Sequence, residues 1–178
     1  MNKLNLGHFF IFFIILIAAF TRIMPHPPNF TAIGAIALFG SVHFQKKSNG
    51  LIIPLLAMFV SDMYLGFHSN MFAVYFSFLL ISVLGFYLRD NLKLKNLFFA
   101  SLFSSFLFFL ITNFSVWLNS TFYPKSFLGL LECYSLAIPF AFNTLLGDLF
   151  FNTILFGGFY LFQIRFSSFK LDYIKYKF

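Results

Sequence analysis

Long apolar blocks separated by short polar breaks run the length of the chain, at about 4–21, 30–45, 51–66, 71–88, 97–118 and 137–163. Within a block such as "GHFFIFFIILIAAF" the apolar residues point to every side and do not alternate, which predicts a helix and argues against a barrel strand. At 1.5 Å per residue, most blocks can cross a hydrocarbon layer of about 30 Å. The second and third are short, about 24 Å each by the same rise. They read either as tilted neighbours in a thinned bilayer or as a re-entrant pair, and both readings leave every other break on the same side. The expected fold is an all-α membrane protein, a six-transmembrane-helix bundle forming one domain over residues 1–178.

Charge then orients the bundle. Only 10% of the residues are charged and 60% are hydrophobic, where a soluble domain carries about 25% charge. If alternate breaks lie on opposite sides, Lys3, Lys46, Lys47, Arg89, Lys93, Lys95, Arg165, Lys170, Lys175 and Lys177 share the side of the N-terminus. Only Arg22 and Lys125 fall on the other. Basic residues collect on the cytoplasmic side, so both termini are expected there. The net charge of +7 is thereby a topology signal, and the lipid bilayer, not nucleic acid, is the expected partner. The first block also fits a secretory signal peptide, whose cleavage would leave the remaining topology unchanged. The single cysteine, Cys133, excludes an intramolecular disulfide and a cysteine metal cage.

Polar residues gather on the outer side. In "RIMPHPPNFT" the prolines remove backbone donors and force extended geometry, so a stiff connector is expected, with Asn29 or Thr31 capping the next helix. A rigid turn accounts for the prolines but not for Arg22 and His26. Asp62 falls near the outer end of the third block and Asn113 in the outer third of the fifth. Trp117 follows at the interface. Asn143 lies in the outer half of the sixth block, with Asp148 near mid-depth. An aspartate at that depth costs about 3 kcal/mol, so it must face protein or a watery cavity.

Each of these residues has a plain structural role open to it. Asp148 can bond a neighbouring helix, and Asp62 can cap a helix or pair with Arg22. Asn113 and Asn143 can join helices, and Trp117 can belong to an interfacial aromatic belt. Their shared side and depth point instead to an outward-facing pocket, with Arg22, His26, Asn29, Asp62, Asn113, Trp117, Asn143 and Asp148 as candidate solute-binding residues. The polar stretch "YPKSFLGLLECY" predicts a separate interfacial helix at about 125–136. Small residues at 32, 34, 35, 37, 40 and 41 predict a close helix contact, either inside the bundle or with a partner protein.

No phosphate loop, HExxH pair or GxSxG elbow is present, and the four histidines are divided between the two sides. No enzymatic activity, metal or cofactor is expected. Taken in order, "RIMPHPPNFTAIGAIALFG", "LLAMFVSDMYLG", "FFLITNFSVWL", "YPKSFLGLLECYSLAIPF" and "NTLLGDLFF" resemble the blocks of an uncharacterised family of small bacterial integral membrane proteins assigned to transport. Ala32 departs from that pattern, where proline is expected. More distantly, the layout is similar to the substrate-binding (S) components of energy-coupling-factor vitamin transporters. That similarity implies a bacterial inner-membrane location, uptake of a vitamin-like small molecule, and separate ATPase and membrane scaffold subunits. A stand-alone proton-coupled transporter and a non-transporting scaffold remain alternatives.

Overall fold

The computed structural model describes residues 3–166 as helices joined by short loops, with no strand among the described residues. The helices are α1 (Lys3–Phe20), α2 (Ile33–His43), α3 (Lys47–Leu65), α4 (Met71–Arg89), α5 (Leu94–Asn119) and α6 (Phe127–Arg165). A π-helical turn at Thr153–Gly157 interrupts the register of α6. Helices α3 to α6 are each long and apolar enough to cross a membrane. Lys170, Lys175 and Lys177, and with them the expected placement of the C-terminus, lie outside the described residues.

The two short blocks resolve differently. The third becomes a 19-residue helix, because Lys47, Ser48 and Asn49 join it ahead of the apolar part. The second does not lengthen. Helix α2 has 11 residues, about 16 Å of rise, and every one of them is buried. Helices α1, α3, α4, α5 and α6 all pack against it, so a half-length helix forms the centre of the bundle.

Close approach to α2 depends on small residues on both partners. A Cβ on Gly85 of α4 would lie 2.7 Å from Ser41 Cβ and 3.1 Å from the Leu38 carbonyl oxygen. A Cβ on Gly50 of α3 would lie 3.0 Å from Ser41 Cα. The small residues of the second block are therefore spent on internal packing and leave no face for a partner. At its lower end, the carbonyls of Ser41 and Phe44 accept hydrogen bonds from Arg89 Nη2, and Gln45 O accepts from Nη1 at 3.3 Å. A cation at a helix C-terminus both satisfies the last carbonyls and opposes the helix dipole.

The separate interfacial helix expected at 125–136 is instead the first part of α6. Ser126 caps that helix by accepting from the Gly129 amide at 3.2 Å, and the helix continues through Pro139 without ending. With 39 residues, α6 is about 58 Å long, far more than an apolar layer requires. Its first turns, with Glu132, can thus stand beyond that layer without a break in the helix.

The distribution of side chains is inverted relative to a water-soluble bundle. Phe72, Phe127 and Leu161 are among many large apolar side chains exposed on the outside, while Ser77, Ser82, Ser101, Ser104, Asp148 and Asn152 are buried. An apolar exterior of this extent suits a hydrocarbon surrounding. Replacing Gly85 by leucine forces α4 away from α2 and is expected to lower stability by about 1–3 kcal/mol. Thermal unfolding of the detergent-purified protein checks this, with Phe72→Leu on the outer face as the near-neutral control.

Candidate functional site

A cavity of about 300 Å³ lies over the N-terminal end of α2. The 21–32 connector, the 66–70 loop, α4, α5 and α6 enclose it. Arg22, Asn29, Thr31, His68 and Asn70 form its rim, and Phe78, Phe108 and Phe140 supply aromatic wall. Thr112, Asn113 and Thr144 add polar groups at intermediate depth, and Gly34 and Asp148 close the floor.

The connector that roofs this space is anchored at several points. Asn29 adopts φ of 65°, a left-handed conformation that asparagine tolerates better than most residues. It turns the chain, with the Phe30 amide donating to Pro27 O at 3.0 Å and the Thr31 amide to Asn29 O at 3.1 Å. The Asn143 side-chain amide donates to Pro28 O at 3.0 Å, tying the connector to α6. The Phe30 ring packs against Phe150 and Phe151 at 5.8 and 5.7 Å between centroids.

Arg22 fixes the start of the connector. Its Nη1 donates to Asp62 Oδ1 at 2.5 Å and to Ser61 Oγ at 2.7 Å. Asp62 Oδ2 accepts from the Tyr75 hydroxyl at 2.7 Å, so one carboxylate joins the end of α1 to α3 and α4. Asp62 is 1% exposed and Arg22 14%, which makes this a largely desolvated pair. It is the one salt bridge among the described residues.

The floor is built from backbone and carboxylate. Neither Asn29 nor Thr31 caps α2 as expected; the N-cap position is Ala32, with no side-chain capping bond. Once Asn29 has turned the chain, its side chain and that of Thr31 line the cavity instead. The first-turn amides of a helix have no intrahelical acceptor. Against that turn sits the Asp148 carboxylate, so close to Gly34 that a Cβ there would overlap Asp148 Oδ1. Asp148 Oδ2 accepts from Ser105 Oγ of α5 at 2.6 Å. One turn further along α6, Asn152 donates to Ser101 Oγ at 2.8 Å, continuing a polar seam between α5 and α6.

Of the eight candidate residues, Arg22, Asn29, Asn113 and Asp148 line the cavity. Asp62 lies behind Arg22 as its counter-ion. His26 is exposed outside the cavity, with its ring nitrogens near Pro27 O and Arg22 O. Trp117 donates to Pro124 O at 3.0 Å and lies under Lys125, holding the loop before α6. Asn143 anchors the connector. Cys133 is buried against the Asn113 carbonyl and is not among the lining residues.

The lining also includes residues not singled out from the sequence, and helical spacing identifies them. Phe140, Thr144 and Asp148 are four apart on α6, and Phe108, Thr112 and Val116 are four apart on α5, so each trio shares one helix face. Starting from Asp148, that spacing alone would have added Phe140 and Thr144. Asn70 and His68 arrive through the 66–70 loop, where no periodicity applies.

Removing the positive charge with Arg22→Met leaves the Asp62 carboxylate buried without its counter-ion and is expected to cost about 3 kcal/mol. Thermal unfolding should show a large loss for this variant. Much of the stability should return in the double variant Arg22→Met/Asp62→Leu, which removes both charges.

No curated protein and no solved structure matches the chain. A family model matches residues 2–169, nearly the whole length, and its description is that of a family of unknown function, DUF6580. The block resemblance therefore holds at the level of an uncharacterised family, without a transport role attached. The chain belongs to the DUF6580 family.

Proposed function

We propose that this protein is a multi-pass bacterial inner-membrane protein that captures a small polar solute in an outward-facing cavity. The observation that carries the reading is an aromatic and polar cavity, about 300 Å³ in volume, inside a bundle whose exterior is apolar. Amide, hydroxyl and carboxylate groups lining a cavity inside an apolar bundle suit an aqueous ligand. The orientation follows from charge: Arg22 and Lys125 mark the cavity end, while Lys46, Lys47, Arg89, Lys93, Lys95 and Arg165 mark the opposite, cytoplasmic end.

In this reading the protein is the solute-binding subunit of an uptake system for a vitamin-like micronutrient. Without a phosphate loop it depends on other subunits, an ATPase and a membrane scaffold, to drive release inward. The anchored 21–32 connector restricts entry, and the rim groups Asn29, His68 and Asn70 replace water around the solute. One specific feature favours a second reading. Asp148 is a buried carboxylate with no salt bridge among the described residues, which suits a stand-alone transporter that loads and releases a proton there.

A thermal-shift screen of the purified protein against vitamins, nucleosides and small organic anions tests the binding claim. A ligand at 100 times its dissociation constant stabilises by about 2.7 kcal/mol. At least one compound class should stabilise the wild type and fail to stabilise Thr112→Trp, in which the indole fills the cavity. Absence of any shift, or a shift that persists in Thr112→Trp, would contradict it. Uptake by the protein alone in liposomes, abolished by Asp148→Asn, would instead select the stand-alone transporter.

A further inference from the structure

We infer that the solute is an organic cation whose positive group sits against Asp148 and whose apolar body packs on Phe78, Phe108 and Phe140. This rests on the cavity being a solute site and adds the charge class of the solute. The inference begins with the charges that face the cavity. Arg22 lines it, but its guanidinium is matched by Asp62 at 2.5 Å, so the pair contributes no net charge. His68 stands at the exposed rim. Asp148 is left as the unbalanced ionisable group at the floor, 3% exposed and without a salt bridge among the described residues.

The local donors do not cancel its charge. Asp148 receives one side-chain hydrogen bond, from Ser105 Oγ at 2.6 Å, and borders the first turn of α2 at Gly34. A helix N-terminus supplies only about half a unit of positive charge. A carboxylate held in low dielectric with part of its charge uncompensated favours an arriving cation over a neutral or anionic ligand. The same carboxylate repels an anion that approaches the amides of α2, so the open helix end does not make this an anion site.

The walls fit the same class of ligand. Phe78 and Phe108 lie 5.3 Å apart between ring centroids on neighbouring helices, and Phe140 adds a third ring from α6. Aromatic faces attract cations through their quadrupole, more strongly when water is excluded. A small inorganic ion would find a carboxylate here but no use for this apolar wall.

A charge series on the unmodified full-length protein provides the test. Phenethylamine and benzyltrimethylammonium are compared with neutral phenethyl alcohol and anionic phenylacetate, by thermal shift and by isothermal titration in detergent. Both ammonium probes should bind, while the alcohol and phenylacetate bind more weakly or not at all. Asp148→Asn should weaken ammonium binding by about 30-fold or more, as for loss of one partner in a buried charge pair. Thr112→Trp should abolish it.

If phenylacetate or the alcohol binds best, and Thr112→Trp abolishes that binding, the solute cavity stands and the cationic assignment falls. Stabilisation by sodium chloride but not N-methylglucamine chloride, lost in Asp148→Asn, would assign the charge to an inorganic ion and overturn the organic one. Binding of no probe of any charge would overturn both the assignment and the solute cavity. Because the series is read on the wild type, it decides the matter even if Asp148→Asn does not fold.

Discussion

A helix buried along its whole length leaves the unpaired groups at both of its ends inside the bundle. Helix α2 is only 11 residues long, so its unpaired first amides and last carbonyls both fall inside the bundle. Arg89 meets the carbonyl end through Ser41, Phe44 and Gln45, and the Asp148 carboxylate lies against the amide end at Gly34. Each charge has the sign that opposes the helix dipole. The two ionic groups reach the centre from α4 and α6, and both are thereby bound into one arrangement around α2.

The shortness of α2 also makes the cavity. A helix of membrane length would continue upward through the space that the cavity occupies. The chain arrives there instead as the proline-rich connector, which cannot be helical and runs over the top. Its anchors come from three directions: Arg22 to Asp62 on α3, Asn143 of α6 to Pro28, and Phe30 onto Phe150 and Phe151. Tyr75 of α4 shares Asp62, so movement of the connector is coupled to the helices that wall the cavity.

Much of this was legible in the sequence because long apolar blocks that do not alternate read as helices. The six segments and their order follow from hydropathy, and Asn113 and Asp148 line the cavity because depth along a span can be counted at 1.5 Å per residue; Arg22 and Asn29, which also line it, stood out as polar groups in the connector between two apolar blocks. What depth cannot supply is rotation about each helix axis. Asn143 and Asp148 lie five residues apart on one helix, yet Asn143 turns to the connector and Asp148 to the floor. Loop residues follow no periodicity: His26 turns outward onto its own backbone, whereas Asn70 turns inward, and nothing local distinguishes them. The length of α2 was hidden for a different reason. Its flanks, "NFTA" and "FQ", are as compatible with helix as with loop, and only packing against five neighbours decides where it stops.

The central claim is that water reaches the floor of this cavity from the outer face of the membrane. Cysteine accessibility addresses it directly, since the single native cysteine is buried and can be replaced by alanine. In a Cys133→Ala background, Thr144→Cys is placed one turn above Asp148, and intact cells are treated with a membrane-impermeant maleimide. The account predicts labelling of Thr144→Cys from outside, blocked when the cavity is filled by Thr112→Trp. Labelling only from the cytoplasmic side in inverted vesicles, or none from either side, would contradict it.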